Sequence, residues 1–142
     1  MKTSQEILSS VLKTTQMGQV GIRSVLDTTL NPELRQALVQ QLKEYDGIET
    51  EAHNIASQRG WELKELDSAV RMMSNMVCRM KLTGADATSK ISEMMIQGST
   101  MGVTSLTRQI RDYDGEDTEV LDFAKKQLKR EEKNIDELKK FL

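Results

Sequence analysis

Three groups of residues in this 142-residue chain have the side chains for chemistry. Met72, Met76 and Met80 recur every four residues with Met73 and Cys78 beside them, a set of thioethers and one thiol of the kind that selects a soft ion such as Cu(I). His53, the only histidine, follows Glu49 by four residues and shares its side of a helix. Glu131 sits between Leu128 and Ile135 on an otherwise apolar stripe, where an isolated carboxylate is costly and needs either a proton or a donor.

Each group also has a plainer reading. No MxM or CxxC cluster accompanies the methionines, and Met repacks readily against irregular shapes, so packing or a dimer surface ranks above copper. Glu49 and His53 supply two ligands where a metal site needs three or four, which makes a solvated flank contact the better assignment. One histidine and no Gly-rich phosphate loop leave no Ser-His-Asp triad, Cys-His pair or nucleotide cradle to assemble. No catalytic residue and no cofactor is expected.

Composition narrows the class. Lys plus Arg number 20 against 22 Asp plus Glu, and the signs are mixed along the chain, so no basic face suited to nucleic acid is expected. A single Pro and an abundance of Leu, Met, Ala, Gln, Glu and Lys favour helix throughout a single domain, residues 1–142. Cys78 cannot form an internal disulfide, and the N-terminus lacks the build of a signal peptide, which predicts a cytoplasmic protein. No apolar run approaches the roughly 20 residues of a membrane span.

Thr3-Ser4-Gln5-Glu6 is a capping box that starts a first helix ending near Leu30, with Leu8, Val11, Thr15, Gly18, Ile22, Val25 and Thr29 inward. Asn31-Pro32-Glu33 starts a second, which buries Leu34, Leu38, Gln41, Tyr45, Ile48, Ala52 and Ile55 and closes at Arg59-Gly60. An unbroken helix from Trp61 to Asp114 would run roughly 80 Å, so a break is placed at Thr83-Gly84-Ala85-Asp86. It separates a Met-rich helix, about Leu66 to Leu82, from a long one, about Asp86 to Tyr113. After the turn at Asp114-Gly115-Glu116-Asp117, a last helix from about Thr118 turns Val120, Ala124, Leu128, Ile135, Leu138 and Leu142 inward.

The second half echoes the first. A shift of 84 lays Met17-Gly18 on Met101-Gly102, and a shift of 86 lays Gln41-Leu42-Lys43-Glu44 on Gln127-Leu128-Lys129-Arg130. Two helical hairpins of one design follow. With the long connection between them, this layout resembles the ferritin-like superfamily. The segments SEMMIQGSTMGVTSLTRQIRDYD and LKREEKNIDELKKFL are similar to a group of small bacterial ferritin-like proteins with no established activity. The resemblance implies an all-α, antiparallel four-helix bundle of two hairpins with an additional Met-rich crossover helix.

Di-iron members of that superfamily use one Glu from each of two helices and Glu-x-x-His from each of the others. Here the matching positions read Tyr45 with Ile48, and Glu131 with Asn134. Their partner levels, Thr15 to Gly18 and Gly98 to Gly102, carry no carboxylate. The expectation is therefore a buried polar network of Tyr45, Glu131, Gln19, Gln41 and Thr15, with Gly18, Gly98 and Gly102 letting helices approach. A non-enzymatic bundle acting through homodimerisation or a helical partner is the leading functional expectation. The alternative is a metal-binding protein, using either a residual iron site at Glu131 or a copper site at Met76 and Cys78.

Overall fold

In the computed structural model, which describes residues 3–26, 28, 30–65 and 87–142, four helices account for most of the chain and no strand forms among the described residues. They are α1 (Ser4–Leu26), α2 (Pro32–Arg59), α3 (Ala87–Asp112) and α4 (Thr118–Leu138), followed by a 3-10 turn at Lys139–Phe141. The Met-rich helix and the break at Thr83-Gly84-Ala85-Asp86 lie outside the described residues.

Local chemistry sets the helix ends. At the start of α1 the capping box closes in both directions: the Glu6 amide donates to Thr3 Oγ1 at 3.1 Å and the Thr3 amide to Glu6 Oε1 at 3.4 Å. The helix stops at Leu26, four residues short of the expected end. Pro32 favours an extended Asn31, found at φ −51° and ψ 131°, and the chain has already left the helix upstream of it. The Thr28 hydroxyl takes the carbonyl of Val25 at 2.6 Å, and Arg35 Nη2 reaches that of Leu26 at 2.6 Å. Asn31 Oδ1 then accepts the amides of Glu33 and Leu34, a cap worth about 1 kcal/mol.

Helix α2 ends in the left-handed turn that its glycine predicts. Gly60 has φ 66°, its amide donates to Ser57 O, and the Trp61 amide donates to Ala56 O at 2.9 Å. Arg59 swings over the Trp61 ring, 5.5 Å from its centroid, and binds Asp117 with two nitrogens at 2.9 and 3.1 Å. Asp117 in turn caps α4 by accepting the Val120 amide. One carboxylate thus closes a helix start and ties it to the end of α2.

These contacts give the helix directions. Arg59 to Asp117 joins the end of α2 to the start of α4, and Tyr45 to Glu131 joins their middles, so the two run antiparallel. Ser4 Oγ and Tyr113 Oη lie 2.6 Å apart, joining the start of α1 to the end of α3. The Tyr113 hydroxyl also accepts the Asp117 amide, and Gly115 leaves the room its ring needs. Helix α3 therefore starts at the opposite end of the bundle from where α2 finishes. The described residues after Gly60 already head that way, with Glu62 O accepting from Gln5 and the Lys64 amide donating to Ser9 Oγ further along α1.

The core is filled by Ile7, Leu8, Val11, Leu12, Ile22 and Val25 of α1, the seven expected positions of α2, and Ile91, Leu106, Val120, Phe123, Ala124 and Leu138. The inward stripe of α4 is corrected. Gln127, Glu131 and Asn134 are its buried central positions, whereas Leu128 and Ile135 are half-buried at its edge and Leu142 is exposed beyond the last turn. The helix is rotated so that the residues four before and three after Glu131, both amides, share its face.

Candidate functional site

Halfway along the bundle, Tyr45 of α2 and Glu131 of α4 point at each other across the core. The Tyr45 hydroxyl donates to Glu131 Oε1 at 2.7 Å, and Gln127 Nε2 donates to the same oxygen at 3.1 Å. Asn134 Nδ2 donates to Tyr45 Oη at 3.4 Å. Glu131 is 1% exposed, and its second oxygen, Oε2, has no hydrogen-bond partner. No basic side chain pairs with it among the described residues.

Electrostatics follow from this geometry. Burial pushes the Glu131 carboxyl up from 4.5 to about 7, with the Tyr45 and Gln127 donors and the nearby Ser99 hydroxyl limiting the rise. Burial also raises the Tyr45 phenol well above its ordinary value, and the Glu131 charge adds to the effect. Each group therefore holds its proton more tightly than it would in water, and the carboxyl titrates near neutrality.

Two glycines make the room. A Cβ on Gly18 would stand 2.5 Å from Tyr45 Cε2 and Cζ, so the ring lies directly against the α1 backbone. A Cβ on Gly102 would stand 2.8 Å from Thr14 Cγ2 and 3.9 Å from the Glu131 carboxyl carbon. Gly98 does not belong with them, because nothing lies within 4 Å of its Cβ position. It lines a cleft of about 400 Å³ between α1 and α3, with the Tyr45–Glu131 pair among the lining residues.

The expected network is smaller than predicted on one side and larger on the other. Gln19 is buried but turns away, donating to Asp46 Oδ1 at 2.8 Å. Thr15 and Gln41 are buried, yet Thr15 Oγ1 and Gln41 Nε2 have no partner, so neither joins the pair. Gln127 and Asn134 take those places. The signal for both lay in the helix spacing around Glu131, with Gln127 also the counterpart of Gln41 in the repeat.

The metal candidates among the described residues do not converge. His53 Nε2 lies 3.7 Å from Glu65 Oε1, both well exposed, whereas Glu49 Oε2 accepts from Gln16. Among the described residues no group of three or more His, Cys, Asp or Glu side chains is placed to hold a metal ion. Met72, Met73, Met76, Cys78 and Met80 lie outside the described residues. No described helix is long and apolar enough to cross a membrane.

Fold and site together define an all-helical bundle with a buried, uncompensated carboxyl group beside a largely apolar cleft. No family model matches the chain, and no curated protein or solved structure matches it either.

Proposed function

We propose that this chain is a ferritin-like bundle without a di-iron centre, and that it acts by binding rather than by catalysis, as a homodimer or with a helical protein partner. The observation that carries the reading is what surrounds Glu131. A di-iron centre needs carboxylates converging from four helices. Here Glu131 accepts from a tyrosine and one amide and faces a glycine, while a second amide bonds the tyrosine. The ferritin-like assignment is supported by the helix directions, with α3 beginning at the far end of the bundle from the close of α2, as a single long crossover requires. The interface is assigned to the segment carrying Met72, Met76 and Met80, on the adaptability of thioether side chains.

Elemental analysis of protein purified without tags or chelators tests the first half of this reading. The expected result is no bound transition metal. Near-stoichiometric iron or copper would overturn it in favour of a metal protein centred on Glu131 or on Met76 and Cys78. Light scattering tests the second half: a dimer is expected for the self-associating form, and a monomer at high concentration removes homodimerisation.

A further inference from the structure

The cleft between α1 and α3 has the construction of a ligand site. Its volume, about 400 Å³, falls within the range of small-molecule pockets. Its walls are largely thioether and aliphatic, from Met17, Ile22, Met94 and Met95, with Met101 63% exposed among the lining residues. Gly98 contributes open space rather than contact. Two of its lining residues, Glu131 and Gln41, each carry a buried polar atom without a partner, Oε2 and Nε2.

A buried polar atom left without a partner is costly, and most such atoms in folded proteins are satisfied by something. Here the unsatisfied oxygen belongs to a carboxyl group. The Ser99 hydroxyl also lies near this carboxyl, but it is neutral and makes no hydrogen bond to Oε2, so the charge the carboxyl lacks is positive, and the adjoining space is large enough for a molecule. The titratable groups lining the cleft are Lys13 from α1, Tyr45 from α2 and Glu131 from α4, with none from α3. Lys13 forms no ion pair with Glu131, so the cation is missing from the chain's own described residues. A metal ion suits the position poorly, since one carboxylate is a single ligand.

We propose that this cleft binds a small amphipathic amine, with its ammonium group donating to Glu131 Oε2 and its alkyl or aryl body against Met17, Met94 and Met95. An ammonium gives charge-assisted hydrogen bonds, roughly twice as strong as neutral ones, and this effect is greatest away from water. An alcohol of the same skeleton satisfies the oxygen without compensating its charge, and a carboxylic acid brings a second negative charge to it. Methionine walls accept bodies of different shape, so selectivity resides in the head group. The inference concerns Glu131 and the cleft beside it and stands whether or not the bundle dimerises.

The test is calorimetric titration of the full chain at pH 8 with hexylamine, hexanol and hexanoate. Hexylamine is expected to bind at least about tenfold more tightly than hexanol, with hexanoate weakest. Glu131→Gln keeps the shape of the site and removes its charge, and should erase the preference for amine over alcohol. Gly98→Leu fills the cleft from a position that meets no neighbour, and should abolish binding of amine and alcohol together while the helical circular dichroism stays intact. Equal affinity for amine and alcohol overturns the proposal, as does amine binding that survives Gly98→Leu. Absence of any binding also overturns it.

Discussion

Tyr45 and Glu131 are 86 residues apart, and their side chains meet at 2.7 Å in the middle of the bundle. The same offset lays Gln41-Leu42-Lys43 on Gln127-Leu128-Lys129, so the two residues hold one position in two equivalent hairpins. The repeat therefore closes on itself, bringing matching positions of α2 and α4 together. Gly18 and Gly102, matched by the offset of 84, stand beside them on α1 and α3. One hairpin supplies the donor and the other the acceptor.

Stability should fall as pH rises through neutrality. The folded Glu131 carboxyl titrates at about 7 rather than 4.5. Between those values the folded chain holds a proton that the unfolded chain has released, so the stability present below about pH 4.5 is lost as pH passes 7. The loss is on the order of 3 kcal/mol. Glu131→Gln, whose side-chain oxygen can still accept from Tyr45 and Gln127, should flatten this part of the profile and be more stable than the parent at pH 8. Urea unfolding at pH 5 and pH 8 checks both statements.

Removing the tyrosine hydroxyl should cost more than its small volume suggests. In Tyr45→Phe, Glu131 Oε1 keeps only the Gln127 donor and Asn134 Nδ2 loses its acceptor. A loss of about 1 to 3 kcal/mol is expected, with the Glu131 carboxyl titrating higher because the Tyr45 bond holds it down. Carboxyl-carbon NMR titration reads the second effect directly.

Three glycine-to-alanine changes should separate by their surroundings. Gly98→Ala meets nothing within 4 Å and should stabilise α3 by up to about 1 kcal/mol through helix propensity. Gly18→Ala drives a methyl into the Tyr45 ring and should destabilise by about 1 to 3 kcal/mol. Gly102→Ala meets the end of the Thr14 side chain and should fall between them. Thermal unfolding of the three variants in one buffer gives the order.

Asp117 closes the bundle where α2 meets α4. Its bond to Arg59 holds its carboxyl below the ordinary range, so its contribution is present above the ordinary value of 3.8 and disappears as pH falls through the lowered one. Asp117→Ala loses both the cap and the Arg59 pair and should cost about 1 to 2 kcal/mol. Asp117→Asn, which keeps a capping oxygen, should cost less, and denaturant midpoints will rank the two.

Much of this architecture is written in short-range patterns. The capping box at Thr3 to Glu6, the Asn31-Pro32 start, the Gly60 stop and the inward face of α2 depend on residues within a turn or two of one another, and each appears where its local chemistry places it. The repeat offset also aligned Tyr45 with Glu131, because equivalent positions in paired hairpins face a common core. The end of α1 was less legible: Arg35, nine residues on from Leu26, helps set where its carbonyls are satisfied.

Only the tertiary structure decided which polar groups would share the interior. Gln19, Gln41 and Thr15 are as inward by spacing as Gln127 and Asn134, but spacing fixes the side of a helix and not the neighbour across the gap. Asp46 draws Gln19 away, while the rotation of α4 turns Gln127 and Asn134 toward the Tyr45–Glu131 pair. The same limit explains Gly98 and Gly102. They are four residues apart on one helix, yet one meets Thr14 and the other meets open space, because α1 passes close to only one of them. The cleft beside Glu131 is a product of that approach, and no local pattern encodes it.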